Sequence, residues 1–197
     1  HHIDLPIYFI GEDDEHPQLA HKSQGWIDSD PREFYKWFNG IKENYQLRRL
    51  VRYLKAWADY EEFTNGTKMP SGCIMTILAA KYYVRNERDD IAFKDLLVAI
   101  HVALNDKFEC LRPTFPINED LFAGIKWALR KDSFMKALKD FKDDAVRAIN
   151  SKNPHDACLK WQLHFGSRFC CSSVSKKDED ALEQASAGPK LNTSRYA

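Results

Sequence analysis

The stretch YQLRRLVRYLKAWA, residues 45–58, contains neither Gly nor Pro and repeats apolar side chains at intervals of three and four. Residues at that spacing share one face of an α-helix, so the stretch predicts a helix with one apolar stripe packed on a core. The stripe consists of Leu47, Leu50, Val51, Leu54 and Ala58.

The side opposite this stripe is strongly basic. No acidic residue lies between Tyr45 and Lys55, and Arg48, Arg52 and Lys55 follow one another at helical spacing. Like charges at that spacing repel, so their clustering costs stability unless an anion lies nearby. The pattern is typical of a solvated helix face or of a phosphate-binding face, and Arg52 could also pair with an acid elsewhere in the fold.

A second candidate element is the helix start at Ser71, which follows Pro70 and precedes Gly72. A Ser at this position accepts a hydrogen bond from a backbone amide of the first turn. The free amides and the positive dipole end of a helix also suit a phosphate group. Ser71 is thus predicted to be an N-cap, and the same residue can contact a ligand.

Helical spacing recurs along most of the remaining chain, interrupted by loops at residues 64–70 and 110–116. The last helix should end at the C-cap glycine Gly166, with Trp161, Phe165 and Phe169 packed back onto the core. Three predicted helices start at Pro31, after the cap residue Asp30, at Gly72 and at Pro154. Another is capped by Asp89 or Asp90, and a further one starts near Asn118. A longer helix runs from about Asp132 to Asn150.

The first residues alternate apolar and other side chains with the period of two that marks a half-buried strand. Pro6 indicates a strand edge or end. Asp4 lies on the face opposite the apolar one, as either a surface residue or a metal ligand of an incomplete site. Because the chain begins inside a strand and without Met, we expect it to be the C-terminal part of a longer protein. The apolar face consists of Ile3, Leu5, Ile7 and Phe9.

Composition excludes several classes of protein. With 44% hydrophobic and 29% charged residues, the 197-residue chain predicts a globular protein without a transmembrane helix or a membrane partner. No signal peptide opens the chain, which indicates the cytoplasm. The 29 basic and 29 acidic residues cancel, unlike the basic excess of proteins that coat duplex nucleic acid. The five cysteines, an odd number without regular spacing, predict reduced thiols.

Five segments, in order, resemble bacterial cGAS-like cyclic-oligonucleotide synthases, the CD-NTase family. The resemblance implies an α+β fold: the mostly helical C-terminal lobe of a polymerase-β-like nucleotidyltransferase, with the last strands of the catalytic sheet at the N-terminus. The implied divisions are a sheet remnant at 1–25, a helical lobe at 26–171 and a flexible tail at 172–197. The segments are HIDLPIY (2–8), GWIDSDPREFYKWF (25–38), LRRLVRYLKAW (47–57), MPSGCIMTILAA (69–80) and KWQLHFGSRF (160–169).

The same resemblance implies residue roles. Asp4 would be the third Mg²⁺-binding carboxylate and hence catalytic, Lys55 would hold the donor triphosphate, and Ser71 would assist it. The basic face adds Arg52 as a candidate nucleotide-binding residue. The family's Gly-Ser motif and its DxD carboxylate pair are absent and are expected upstream of His1, so this chain alone should be inactive.

The implied reaction is template-independent transfer of nucleotides from NTPs to form a cyclic di- or trinucleotide messenger, in bacterial antiphage signalling. No nucleic-acid activator is expected, given the zero net charge. The alternatives are a nucleotidyltransferase with linear products, of the oligoadenylate or poly(A) type, and a non-catalytic helical binding module.

The tail carries a prediction of its own. Residues 172–197 hold few apolar side chains and cannot bury enough surface to fold alone. Some synthases of the resembled family work beside a ubiquitin-activating-like enzyme that joins their C-terminal Gly or Ala to a target. Ala197 is therefore a candidate conjugation site, and the alternative is an end without a role.

Overall fold

The computed structural model describes residues 5–41, 45–172 and 174, and most of these described residues are helical. A small sheet precedes the helices, and a short 3-10 turn, Gly166–Arg168, follows the last of them. The strands are β1 (Tyr8–Phe9), β2 (Gln18–His21) and β3 (Gly25–Asp28); the helices are α1 (Pro31–Gly40), α2 (Tyr45–Asn65), α3 (Gly72–Tyr82), α4 (Asp89–Asp106), α5 (Ile125–Ala128), α6 (Lys131–Asn150) and α7 (Pro154–Phe165).

The sheet is an antiparallel meander of order β1-β2-β3, in which Leu19 pairs with Tyr8 on one side and Ile27 on the other. The prediction of a half-buried strand over residues 3–9 is wrong for its described part. Leu5 is 83% exposed, and β1 spans two residues only. Alternation indicates which side chains share a face, but their burial requires a second layer on that face.

Helix α1 begins where the sequence predicted. The Asp30 carboxylate accepts hydrogen bonds from the amides of Arg32 and Glu33, both at 3.0 Å, and Pro31 occupies the first turn. Burial raises the pKa of Asp30, but the bonds from the Glu33 amide and from His16 outweigh it and hold the pKa below its ordinary value. A charged cap at the positive end of the helix is the stabilising arrangement.

The core forms around α2, whose predicted apolar stripe is buried along its whole length. Phe141 of α6, 0% exposed, lies at the centre of an aromatic cluster with Trp57, Phe93, Trp161 and Phe165. Trp161 and Phe165 are each 8% exposed, which confirms that the last helix packs back onto the core.

The end of α7 also follows its prediction. Gly166 has a φ of +62° and caps the helix, and a Cβ at this position would collide with the Tyr60 ring. Only glycine meets both conditions without strain. Phe169, half-buried, then stacks on Phe165 at 5.9 Å.

Two predicted helix starts are wrong. Helix α4 is capped by Arg88 without a side-chain bond, so neither Asp89 nor Asp90 is its N-cap. No helix starts at Asn118, which adopts a φ of +65° in a loop closed by a bridge between Leu111 and Asp120; the next helix begins at Ile125. Asn tolerates this left-handed conformation better than most residues, so its presence favours a turn.

The prediction that all cysteines are reduced is also wrong, because Cys158 and Cys171 form a disulfide. They lie 13 residues apart, on α7 and after the turn at Gly166, which reverses the chain and brings them together. Cys73, Cys110 and Cys170 are free thiols.

Asp89 joins the start of α4 to α2 instead of capping its own helix. Arg49 donates two hydrogen bonds to its carboxylate, at 2.5 and 2.8 Å, and the Gln46 amide donates a third at 2.8 Å. The bonds from Arg49 are the main cause that lowers the pKa of Asp89 from 3.8 to about 2. The folded state therefore favours the charged form.

Asp89→Asn is expected to reduce the free energy of unfolding by about 1–2 kcal/mol at neutral pH. This value takes into account that solvent screens the partly exposed Asp89 side chain. The stabilisation by the wild-type carboxylate is complete above its ordinary pKa of 3.8 and is lost as pH falls toward 2. Urea unfolding at pH 7 and at pH 3 measures the difference. The exposed Asp59→Asn is the control, and an Asp89 variant with unchanged stability at pH 7 would contradict the role.

Candidate functional site

The turn between α2 and α3 is fixed by two glutamates at the end of α2. Glu62 accepts a hydrogen bond from the amide of Met69 at 2.9 Å, and Glu61 accepts one from the hydroxyl of Thr67 at 3.1 Å. The Met69 side chain is buried in the core. These contacts hold residues 66–70 against α2, so that α3 starts beside the basic face of α2.

Two side-chain hydrogen bonds stabilise the first turn of α3. The Ser71 hydroxyl accepts a bond from the Ile74 amide at 3.4 Å, which confirms the predicted N-cap. The buried Thr76 hydroxyl donates to the carbonyl of Gly72 at 2.6 Å. The amides of Gly72 and Cys73 precede the first helical hydrogen bond, and within the described residues no protein acceptor reaches them.

Lys55 lies directly over this turn. An ideal Cβ built on Gly72 would lie 3.0 Å from Lys55 Cε and 3.4 Å from Nζ, so the end of the lysine passes along the Gly72 backbone. Lys55 is exposed, and it pairs with no acid in the part of the chain that the structure describes. The structure thus brings together Lys55 and Ser71, two of the predicted site residues, and gives the site a positive charge.

An ion pair of Arg112 and Glu119, which the sequence did not indicate, adds a second cation whose charge is balanced by an acid. Burial raises the pKa of the half-buried Cys73 thiol; the charges of Arg112 and Lys55 act in the opposite direction, and the charge of Glu119 raises this pKa further. Arg112 Nε also donates to Glu119 at 2.7 Å, within the loop that precedes α5. No local motif around residue 112 predicts this proximity, because it depends on how the loop folds back.

The other basic residues of α2 have different surroundings. Arg48 donates to Asn39 of α1 at 2.5 Å and lies 5.8 Å from the Phe38 ring centroid, so it contributes to the contact between α1 and α2. Arg52 is exposed and pairs with no acid among residues 5–41, 45–172 and 174. Its role in nucleotide binding stays a prediction.

Two further site predictions, Asp4 and Ala197, lie outside the described residues. Among the described residues, His16, Asp30 and Glu33 bring three possible metal ligands within 4.8 Å of one another. Magnesium does not fit this group, since Mg²⁺ prefers octahedral oxygen ligands and water. Both Asp30 oxygens already accept hydrogen bonds, from the first turn of α1 and from His16 at 3.2 Å, and Glu33 accepts one from the Phe115 amide at 2.9 Å.

A separate cavity of about 400 Å³ lies between α2, α4 and α7. Aromatic side chains line most of it, with Asp89, Asp90 and Arg168 at its polar positions. Neither Lys55 nor Ser71 belongs to its lining, so it is distinct from the site at the start of α3.

None of the helices in the described residues has the length and apolar composition needed to cross a bilayer.

Comparison with known proteins finds relatives of one kind, cyclic GMP-AMP synthases. The chain is 30% identical over 162 residues to a cyclic GMP-AMP synthase of Escherichia albertii, covering 77% of this chain and 35% of that protein. A cyclic GMP-AMP synthase of Vibrio cholerae is 23% identical over 174 residues, covering 87% of this chain and 40% of that protein. The chain thus spans less than half the length of these relatives. No protein-family model matches it.

Solved structures agree on the fold. The GTP-bound form of Vibrio cholerae DncV matches with a TM-score of 0.70 and 22% identity, over 86% of this chain and 47% of that one. The same enzyme with the linear intermediate 5′ pppA(3′,5′)pG matches with a TM-score of 0.69, over 86% of this chain and 48% of that one. The predicted fold class, a mostly helical α+β part of the fold of these synthases, is confirmed. Over most of its length the chain is similar to part of bacterial cyclic GMP-AMP synthases, in agreement with the cGAS-like family that its sequence segments resemble.

Proposed function

We propose that this chain is the helical lobe of a nucleotidyltransferase that makes a cyclic dinucleotide from ATP and GTP. The observation that carries the proposal is the Lys55 side chain lying over the Ser71-capped start of α3, in a chain related to cyclic GMP-AMP synthases. The divisions at residues 25 and 171 and the catalytic role of Asp4 belong to the same proposal.

In this proposal the start of α3 binds the donor triphosphate. The Lys55 ammonium offsets the charge of the phosphate oxygens, and the amides of Gly72 and Cys73 donate hydrogen bonds to them. The Ser71 hydroxyl, which lies at the same exposed turn, provides a further donor. These contacts orient the α-phosphate for attack by a ribose hydroxyl, with pyrophosphate as the leaving group. A second transfer closes the ring.

Lys55→Ala is expected to raise the KM for ATP about tenfold, the loss of one charge-assisted interaction, with a small effect on folding. The measurement is steady-state kinetics of the full-length enzyme, together with its thermal unfolding. Lys36→Ala removes another exposed lysine, from α1, and should leave both the KM and the thermal unfolding unchanged. An unchanged KM in the Lys55 variant would favour a solvated helix face.

Product analysis separates this function from a linear-product nucleotidyltransferase. A cyclic product has no terminal phosphate and resists phosphatase, whereas a linear oligoadenylate loses its terminal phosphates. A non-catalytic binding module is the third candidate. The upstream sequence distinguishes it, because a Gly-Ser motif followed by a DxD pair is required for catalysis.

The remaining features of the proposal concern conditions and partners. We propose that the enzyme uses Mg²⁺, works in the cytoplasm and needs no nucleic-acid activator, the last supported by the zero net charge of this 197-residue chain. Antiphage signalling and conjugation through Ala197 by a ubiquitin-activating-like enzyme are further proposals that rest on the family resemblance.

A further inference from the structure

Gly72 occupies the first position of α3 for no reason of backbone conformation. It is absent from the glycines with positive φ, which are Gly25, Gly66, Gly124 and Gly166. An alanine would fit the backbone there and would favour the helix more than glycine does. The reason for a glycine must therefore be sought in the space around it.

That space is filled by the end of the Lys55 side chain. A Cβ on Gly72 would lie 3.0 Å from Lys55 Cε and 3.6 Å from Cδ, while carbon atoms pack favourably at about 3.5–4.0 Å. An added methyl group therefore requires the end of the lysine to shift by at least a few tenths of an ångström or to adopt another rotamer. Since Lys55 is exposed and flexible, the displacement costs the fold little.

We propose that Gly72 is a positioning residue: its lack of a side chain lets the Lys55 ammonium lie against the first turn of α3. Lys55 Nζ lies 3.4 Å from the Cβ position of Gly72 and thus next to the first turn of α3. Charge and amide donors then act on the same phosphate group. The consequence for nucleotide binding rests on the proposed function of Lys55, but the positioning itself does not.

Gly72→Ala is expected to raise the KM for ATP of the full-length enzyme about threefold, less than Lys55→Ala does, with kcat changed less than KM, because the lysine is shifted from its phosphate contact but keeps its charge. The thermal unfolding temperature should stay the same or rise. Gly40→Ala is the matched control, since a Cβ at Gly40 meets no atom within 4 Å. In a Lys55→Ala background, Gly72→Ala should have no further effect on KM.

The crystal structure of the Gly72→Ala variant tests the positioning directly. A Lys55 side chain that keeps its place beside the alanine overturns the proposal, as does an equal KM increase from Gly72→Ala with and without Lys55. If the lysine is displaced and KM does not change, Gly72 does position Lys55. In that case the role of Lys55 in triphosphate binding, and not the present inference, is wrong.

Discussion

Asp4→Asn in the full-length enzyme is expected to reduce the rate of cyclic-dinucleotide formation about a thousandfold or more. The substitution keeps the shape of the side chain and removes its charge. The family resemblance assigns Asp4 as a metal-binding carboxylate, and a metal ion in such enzymes contributes several kcal/mol to stabilising transition-state charge. Product formation from ATP and GTP, followed by chromatography over several enzyme concentrations, measures the loss.

A second measurement separates metal binding from other causes of inactivity. The affinity of the full-length protein for Mn²⁺, followed by electron paramagnetic resonance, should fall in the Asp4 variant, while thermal unfolding should not change. Asp13→Asn alters an exposed carboxylate in the turn after β1 and is the control for a change of surface charge. A wild-type rate for Asp4→Asn would remove Asp4 from the catalytic site.

The helices that the sequence predicts correctly are those whose signals are local. The stripe on α2 depends on spacing alone, and α7 is bounded by the Asn153 cap with Pro154 at its start and by Gly166 at its end. Each of these patterns predicts the conformation of the residues that form it, so the helix can be predicted without knowledge of the rest of the fold.

The wrong predictions concern choices that tertiary contacts decide. An aspartate such as Asp89 can act as an N-cap. The fold, however, places Arg49 and Gln46 within hydrogen-bond distance, and the Asp89 carboxylate accepts hydrogen bonds from them. Cys158 and Cys171 meet only because the chain reverses at Gly166. Their spacing along the sequence does not reveal the contact.

The candidate site shows the same division. Ser71 follows from a local helix-start signal and Lys55 from helical periodicity and family resemblance. Arg112 and the closeness of Gly72 to Lys55 do not, because they depend on how α2, α3 and the loop after residue 110 approach one another. A glycine at a helix start is not by itself a signal, and its closeness to Lys55 is visible only in the folded structure.

Phe141→Ala is expected to lower the free energy of unfolding by about 3–5 kcal/mol, the usual cost of deleting a fully buried aromatic ring. Phe141 is 0% exposed, and its ring centroid lies 5.0 Å from that of Trp57 and 5.6 Å from those of Phe93 and Phe165. Its neighbours come from α2, α4 and α7, so a cavity here loosens several helix contacts at once. Close packing leaves these rings little room to collapse into the space.

Urea unfolding of the 197-residue chain and its variants measures this loss. Leu163→Ala, on the exposed side of α7, is the control and should change stability by less than about 0.5 kcal/mol, because Leu163 is 61% exposed. If Phe141→Ala does not fold, Phe141→Leu is the second variant. It retains part of the side-chain volume and should lower the free energy of unfolding by a smaller amount. A stability of either Phe141 variant equal to wild type would mean that α6 does not pack against α2 and α7 through this ring.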